Sequence, residues 1–337
     1  MHSEECLHFL PRYLARIPGL PKIVPGYRDV DFARAWWTPP LSPSSALALE
    51  RRQIVGLGME PMVSLTDHDN LEAPMALQIT DARAHVPVSV EWTVPYGGSI
   101  FHLGIHNLPP GQERALAARM AAYTAEPDDV SLPDILQNLD AIPEALIVLN
   151  HPFWLEEGTT AAGHRRALDA LLSSCLQWIH AFELNGTRVW KENQAAAYLA
   201  EAHGRPVISG GDRHACEPSA CINLTNASTF SEFVAEIRDG CSTLTFLPHY
   251  QEPMPLRILE ASWDILRSYP EYPGRVDWTD RIFYKCDDGV VRTAGSLWNH
   301  QAPAPLGALR GLVRLLAMSG LRPTLRSLLA GNGEILS

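Results

Sequence analysis

The chain has 337 residues, of which 46% are hydrophobic and 19% are charged, a composition typical of a globular protein that buries a sizeable core. Its formal net charge of −11 argues against a surface that grips nucleic acid, because such a surface needs clustered Lys and Arg, whereas a nucleotide stays open as a small substrate. No apolar run reaches the about 18 residues that a membrane span needs. We therefore expect no stable nucleic-acid complex and no membrane partner, and the oligomeric state is left open.

The cysteine pattern indicates reduced thiols. The six cysteines form no Cys-x-x-Cys pair and no dense framework. Glu4 and Glu5 interrupt the N-terminal region, which lacks the apolar core of a secretory signal. These features predict a cytoplasmic protein.

In chain order, Pro and Gly are frequent up to residue 43, after which short apolar runs alternate with helix-like stretches. The runs cover 62–65, 86–90, 100–105, 145–149, 178–182 and 206–209, and the helical patterns fall near 45–55, 71–84, 112–124, 163–176, 190–203 and 229–239. This alternation predicts an α/β fold with a mainly parallel sheet, and the number of units favours a TIM-like barrel. The predicted division is an N-terminal extension over 1–28, a barrel over 29–250, and a mainly helical C-terminal extension over 251–337 that packs on the barrel.

Polar side chains follow each apolar run, at the strand ends where chemistry collects in such barrels. These residues are Asp67, His68 and Asp69, then Glu91, His102 and His106, His151, His180, Glu183 and Asn185, and finally Asp212 and His214. Imidazoles and carboxylates together are the ligands that suit zinc, manganese or iron. Ions held in this way lower the pKa of a bound water and polarise a phosphoryl or carbonyl oxygen.

Each of these residues also has a simpler interpretation. Asp67 alone is typical of the N-cap of a following helix, and a lone histidine after a strand is more often a hydrogen-bonded core or rim residue. The recurrence over six successive runs favours a metal site over capping.

In order along the chain, "SLTDHDN", "VEW" with "FHLGI", "LNHPFW", "FELNG" and "GGDRHA" resemble the motifs of the PHP superfamily, the polymerase and histidinol phosphatase family. The resemblance covers about residues 29–250. It implies a distorted (β/α)7 barrel with a multinuclear metal centre at its C-terminal face, and hydrolysis of phosphoesters.

The resemblance also implies roles for individual residues. The metal ligands that it implies are His68, Glu91, His102, His151, Asp212 and His214. Glu91 would bridge ions, and His102 and His151 would share an ion with it. The catalytic candidates are Asp67, which would support its neighbour His68, together with His68, His214 and Arg213.

One departure from the family pattern concerns the first strand, which usually ends in His-x-His. This chain has no histidine between His8 and His68, so Asp29 or Asp31 stands nearest to the place of the missing pair. We therefore expect a reduced centre with one or two divalent ions, of which the ion on Glu91, His102 and His151 keeps its full set.

Substrate contacts are predicted from Arg and Trp residues near the motifs. Arg213, Arg188 and Lys191 are candidate phosphate contacts, with pairing to local acids as the alternative. Trp92, Trp154 and Trp190 could stack on a base or sugar, with simple burial as the alternative. Late in the chain, Arg310 and Arg314 lie one helical turn apart on an amphipathic pattern, which favours a core-facing helix over a membrane-surface helix.

The leading function is hydrolysis of a small phosphomonoester or nucleotide-type substrate by a metal-activated water. A catalytically degenerate binding or structural module is the alternative that the missing His-x-His favours. Hydrolysis of amide or lactone bonds is a third possibility, because the same activated water serves both chemistries.

Overall fold

The computed structural model describes residues 5–6, 34–38, 41–80, 86–128, 130–155, 158–213, 216–270 and 277–329. Asp29, Asp31 and His214 lie outside these ranges, so their predicted roles are not addressed by the structure. The chain divides into two compact units, one over 43–213 and 218–251 and the other over 2–42, 214–217 and 252–337. The domain bounds that the sequence suggested stay a prediction.

The first unit is a mixed α/β structure. Its strands are β3 (Thr66–His68), β4 (Ser89–Tyr96), β5 (Ser99–His106), β6 (Leu146–Asn150), β7 (Ala181–Asn185), β8 (Val207–Gly210), β9 (Cys221–Asn223) and β10 (Leu244–Phe246). Its helices are α1 (Pro43–Gly56), α2 (Glu72–Thr80), α3 (Glu113–Ala125), α4 (Ser131–Asp140), α5 (Ala161–Cys175), α6 (Trp190–Ala202) and α7 (Phe230–Arg238). Short 3-10 turns lie at Leu176–Trp178 and Pro248–Gln251.

Six of these strands form one sheet in the order β3-β4-β5-β6-β7-β8, which curls into a half-barrel. The pairs β3–β4, β6–β7 and β7–β8 are parallel, as predicted, but β4–β5 and β5–β6 are antiparallel. The reason is a two-residue turn at Gly97 and Gly98, both with positive φ, which joins β4 to β5 as a hairpin. The expectation of a mainly parallel sheet was therefore wrong around β5.

The outer face of this sheet carries the main hydrophobic core. Side chains alternate along each strand, so Val90, Trp92 and Val94 of β4 point to one face, together with Leu103 and Ile105 of β5. Helices α3 to α6 contribute leucines and alanines to the same cluster. Trp92 is buried there, and its indole N–H lies 2.9 Å from the hydroxyl of Thr124.

The inner face has a smaller apolar cluster and a polar end. Leu146, Val148, Ala181 and Ile208 pack with Phe233, Val234 and Ile237 of α7. This packing fills the inner face where β6 and β7 begin, and it leaves the ends of those strands for polar side chains.

The predicted helices agree with the observed ones to within a few residues, whereas every predicted strand except β5 begins later than its apolar run. Thr66–His68 forms β3, although the apolar run is 62–65, and Glu91 lies inside β4. His68, Glu91 and His102 therefore belong to the strands themselves, whereas His151 and Asp212 follow theirs. The helix α4 was not predicted at all.

The second unit contains a small antiparallel sheet and a group of helices. Its strands are β1 (Glu5–Cys6), β2 (Ala35–Trp37), β11 (Ile282–Lys285) and β12 (Val291–Thr293), paired in that order. Its helices are α8 (Met254–Leu266), α9 (Ala294–Leu297), α10 (Ala304–Leu316) and α11 (Arg322–Leu329), with a 3-10 turn at Trp278–Asp280. Arg310 of α10 donates to the Ser268 hydroxyl within this unit, at 2.9 Å. Among the helices that the structure describes, none has both the length and the apolar composition to cross a bilayer.

Candidate metal centre

Strand register brings several of the predicted ligands to the inner face of the half-barrel. His68 of β3 lies opposite Glu91 of β4, Glu91 lies opposite Gly104 of β5, and His102 lies opposite Asn150 of β6. Positions two apart on one strand share a face. Glu91, His102 and His68 therefore share a face, and His151 directly follows the end of β6.

Three of these side chains converge closely. His151 Nε2 lies 3.0 Å from Glu91 Oε1, His102 Nδ1 lies 3.5 Å from the same oxygen, and the two ring nitrogens are 3.4 Å apart. All three side chains are buried. A carboxylate can only accept, so the shortest contact is a hydrogen bond that His151 donates to Glu91.

The spacing of these three atoms fits a divalent ion. Zinc bonded to N and O at about 2.0–2.1 Å in a tetrahedral arrangement places its ligand atoms about 3.3–3.4 Å apart. The three observed separations of 3.0, 3.4 and 3.5 Å bracket that value. Two imidazoles and one carboxylate are also a donor set that transition metals prefer.

The protonation of the two histidines differs. Burial lowers the pKa of His102 to about 3, against the opposing charge of Glu91, so its imidazole is neutral at pH 7 as a ligand must be. Burial alone would lower the pKa of His151 as well. The hydrogen bond to Glu91 and the charges of Glu183 and Glu91 outweigh burial and raise that pKa above its ordinary value.

His68 adds a fourth candidate ligand beside this set. The ligand atoms of His68, Glu91 and His102 all lie within 4.8 Å of one another. The rings of His68 and His102 meet edge to face with centroids 4.8 Å apart. Glu91 and His102 therefore belong to two overlapping sets of ligand atoms. The set with His151 lies within 3.5 Å, and the set with His68 lies within 4.8 Å.

A tight turn presents His151. Its φ of 24° lies in the left-handed region that side chains other than glycine rarely adopt. Its backbone N–H donates to Glu183 Oε2 at 2.8 Å, and its carbonyl accepts from the Trp154 N–H at 2.9 Å. The strain at this position is typical of a backbone held for a functional purpose.

Glu183 occupies a space that Gly210 leaves open. A Cβ built on Gly210 would lie 1.4 Å from Glu183 Oε1, so only glycine allows the carboxylate to lie there. Gly210 is the last residue of β8 and does not have a positive φ. Burial raises the pKa of Glu183 to about 7, and the charges of Glu91 and Asp212 act in the same direction.

Asp212 lies in a network of donors next to Glu183. Its Oδ2 accepts from Asn185 Nδ2 at 3.2 Å, from the Thr187 hydroxyl at 3.1 Å and from Arg188 Nη2 at 3.1 Å. Like His151, Asp212 has a positive φ, here 41°. These contacts place Arg188 at the candidate centre.

Trp154 packs against the ligands. Its ring stacks on His102 with centroids 5.3 Å apart at 27°, and it meets His151 edge to face at 5.9 Å. The Arg188 guanidinium carbon lies 6.0 Å from the centroid of the same ring. Trp154 therefore restrains the two imidazoles, which is a different use from the predicted stacking on a base.

Other predicted candidates lie elsewhere. Arg213 is buried and forms an ion pair with Glu50 of α1, and it donates to the Gln53 side-chain oxygen at 3.2 Å. Asp67 is buried on the face of β3 opposite to His68, in register with Val90. Their predicted catalytic roles stay predictions.

In "TDHDN" the residue that caps the following helix is Asn70 rather than Asp67. Asn70 Oδ1 accepts the backbone N–H of Glu72, the first residue of α2, at 2.7 Å. Asp67 lies within β3 instead. The suggestion that Asp67 caps the following helix is thus wrong.

Two further histidines lie at the opposite ends of the strands from the candidate centre, where β6 and β7 begin. His106 ends β5 where β6 begins, because β5 is antiparallel, and its Nδ1 lies 3.0 Å from the Ser64 hydroxyl. His180 precedes β7, and it accepts the Ile147 N–H at 2.9 Å and contacts Asp140 at 2.8 Å. These two histidines stabilise the fold away from the centre.

Of the other substrate candidates, Trp190 begins α6 and packs edge to face against Phe246, and Lys191 follows in the first turn of that helix. Glu183 and Asn185 were predicted among the polar residues at strand ends without a role in the site, and Thr187 was not predicted there. The available signal was "FELNG" itself, whose alternating positions put Glu183 and Asn185 on one face of a strand.

Comparisons with known proteins add little. No family model matches the chain, and no curated protein matches it. An amidohydrolase from Chromobacterium violaceum, solved with bound sulfate and no metal, is 16% identical, with a TM-score of 0.34 over 52% of this chain and 83% of that one. A Bifidobacterium adolescentis protein provisionally described as a metal-dependent phosphoesterase is 15% identical, with a TM-score of 0.36 over 59% of this chain and 91% of that one. Neither likeness decides the fold or the activity of this chain.

Proposed function

We propose that this protein is a metal-dependent hydrolase of phosphoesters. The observation that carries the proposal is the convergence of Glu91, His102 and His151 within 3.5 Å of one another on a buried inner face. One nitrogen of each imidazole faces the same carboxylate oxygen, and the three atoms have the spacing of ligands around one divalent ion.

Glu91, His102 and His151 would hold the first ion, and the neighbouring His68 supports a second position that shares Glu91. Zinc, manganese or iron suits this donor set. A divalent ion bound there supplies Lewis acidity, which activates water and polarises a phosphoryl or carbonyl group. The PHP resemblance implies His214 as the further ligand beside His68, and it assigns Asp212 to the ion of the missing His-x-His pair.

The surroundings of the ligands suit an anionic substrate. Arg188 lies beside Trp154, and its side chain keeps a quarter of its surface exposed while it contacts Asp212. A phosphate group could accept hydrogen bonds from that guanidinium, which is a stronger contact for phosphate than for a neutral amide. This favours a phosphoester over an amide or lactone, and a small phosphomonoester or nucleotide is the substrate class that we propose.

The motif order adds support for a barrel of the PHP superfamily. The described half-barrel would form part of such a fold, with the ligands at the end of β3, inside β4 and β5, and directly after β6. Chemistry at that edge is general for barrels of this type.

The proposal is tested on the full-length protein, purified and loaded separately with Mn²⁺ and Zn²⁺. Phosphomonoesters, nucleotides and short oligonucleotides are assayed alongside p-nitrophenyl acetate, and bound metal is measured. We expect about one ion or more per chain, and phosphomonoester hydrolysis that His151→Ala reduces by about 100-fold or more, since it removes a ligand.

The control variant is His180→Asn, which removes a buried histidine of similar hydrogen bonding at the opposite ends of the strands. It should retain metal and activity. Activity that His151→Ala leaves unchanged would contradict the proposal. Metal binding without hydrolysis under any condition would instead favour the degenerate binding module.

A further inference from the structure

A buried serine–histidine pair lies outside the candidate centre and has no role in the chemistry so far. His164 of α5 and Ser99 at the start of β5 are both buried, with 3% and 4% of their surfaces exposed. Ser99 Oγ lies 2.6 Å from His164 Nδ1, and His164 Nε2 lies 2.8 Å from the carbonyl oxygen of Pro152. The histidine therefore bridges the hairpin between β4 and β5 and the turn after β6.

The chemistry of the partners fixes the direction of both hydrogen bonds. A carbonyl oxygen can only accept, so His164 carries its proton on Nε2 and donates it to Pro152. In the neutral imidazole the other nitrogen, Nδ1, is then an acceptor, and the Ser99 hydroxyl donates to it. Burial makes each of these bonds costly to break, because a group left without its partner cannot reach water.

The carbonyl that His164 holds belongs to the residue after His151. His151 has a strained backbone with φ of 24°, and its N–H is held by Glu183 at 2.8 Å. Glu183 thus holds the turn at the backbone N–H of His151, and His164 holds it at the carbonyl of Pro152. Trp154, whose N–H donates to the carbonyl of His151, ends the same turn and stacks on His102.

The hairpin side of the bridge is also firmly placed. A Cβ built on Gly97, in the turn just before Ser99, would lie 3.1 Å from the Cβ of Ala167 on α5. The hairpin therefore packs directly on the helix that carries His164. Because the hairpin packs on this helix, Ser99 holds the His164 ring in one orientation, and the ring can then hold the carbonyl of Pro152.

We propose that His164 is a positioning residue, which holds the turn 151–154 so that His151 and Trp154 keep their places in the candidate centre. Its consequence for metal binding rests on the proposed function. The turn itself can be observed without metal, so the two proposals can fail separately.

The test uses two substitutions that separate the two nitrogens. In His164→Gln the amide nitrogen reaches about the position of Nε2 and can still donate to Pro152. In His164→Asn the shorter amide reaches only the Nδ1 position and loses that bond. Hydrogen exchange of a peptide spanning residues 149–155 is measured in the metal-free full-length protein, and Zn²⁺ affinity is measured by competition with a chelator.

We expect His164→Asn to speed exchange of the turn amides by about 10-fold or more and to weaken Zn²⁺ binding by about 10-fold, within the range for residues that support metal ligands. His164→Gln should stay within about threefold of the unsubstituted protein in both measurements. If His164→Asn does not fold, Ser99→Ala provides a milder change, and it should speed exchange of the same peptide.

His180→Asn is the matched control, since it also removes the Nε2 hydrogen bond of a buried histidine but at the opposite ends of the strands. It should leave the exchange of residues 149–155 and the Zn²⁺ affinity unchanged. Equal effects of His180→Asn and His164→Asn, or no effect of His164→Asn on exchange, would overturn the proposal. An unsubstituted protein that binds no Zn²⁺ would overturn the proposed function, and the exchange data would still decide the role of His164.

Discussion

At the scale of single residues, the centre depends on how burial acts on imidazole. His102 is buried beside Glu91, and burial lowers its pKa to about 3. The unfolded chain has an ordinary histidine pKa of about 6.5. Folding therefore keeps His102 ready to bind metal at neutral pH, at the expense of stability in acid.

The sign of this effect gives a prediction for the metal-free protein. Below pH 6.5 the unfolded state binds a proton that folded His102 does not take up, so stability falls as the pH drops from about 6.5 towards 3. One such group contributes up to about 1.4 kcal/mol per pH unit. His102→Gln should remove this contribution, and urea unfolding between pH 4.5 and 8 measures it.

Above pH 7 the His102 imidazole is neutral in both the folded and the unfolded state. Plots of unfolding free energy against pH should therefore run parallel there for the unsubstituted protein and His102→Gln. A gap between them that stays constant down to pH 4.5 would contradict the assigned protonation of His102.

The sequence predicted some of the individual site residues and missed others. The types and the order of Glu91, His102 and His151 suggested a shared site before any distance was known. The position of Arg213 could not be predicted, because its partner Glu50 lies far away in sequence and the pairing depends on how α1 packs. Asp67 could be given a cap as its simpler interpretation because the sequence did not show that β3 begins after the apolar run.

At the scale of elements, the end of β8 makes room for a side chain of β7. Gly210 lacks the Cβ that would overlap Glu183, and Glu183 in turn holds the backbone N–H of His151. Close approach of these two strand ends therefore supports a turn on a third strand.

Gly210→Ala should displace the Glu183 carboxylate and destabilise the protein by about 1–3 kcal/mol, the usual cost of overpacking. It should also weaken metal binding, since the His151 turn loses its acceptor. Gly211→Ala is a matched control, because a Cβ there would lie 3.8 Å from its nearest neighbours, an ordinary contact. Thermal unfolding and Zn²⁺ titration of both variants provide the comparison, and equal losses in the two would show that the Glu183 contact is irrelevant.

Helices were predicted better than strand pairing. Apolar periodicity placed α1, α3, α5 and α6 to within a few residues because each buries one face. The antiparallel hairpin was missed, although "GG" between two β-rich segments is a turn signal. As a result His102 reaches the centre from the middle of β5, where a rule based on strand ends would not place it.

At the scale of the whole molecule, the chain carries a net charge of −11 and gathers Glu91, Glu183 and Asp212 on one inner face. Burial and the charges of Glu91 and Asp212 oppose the ionisation of Glu183 in the metal-free protein. A divalent cation would offset both, so metal binding should stabilise the fold.

We expect Zn²⁺ or Mn²⁺ at 100 times its dissociation constant to stabilise the protein by about 2.7 kcal/mol and to raise its Tm by several degrees. EDTA should reverse the shift. Glu91→Gln keeps the size of the side chain but removes the charge, and its Tm should no longer respond to metal. Calorimetry measures the Tm of both proteins with and without metal. If the Tm of Glu91→Gln rises as much as that of the unsubstituted protein, the stabilising ion lies elsewhere.

The most direct test of the metal centre is anomalous X-ray diffraction from crystals of the Zn²⁺-loaded full-length protein, recorded on both sides of the zinc absorption edge. We expect a strong peak about 2.0–2.2 Å from Glu91 Oε1, His102 Nδ1 and His151 Nε2. A fully loaded crystal without a peak among these three atoms would contradict it.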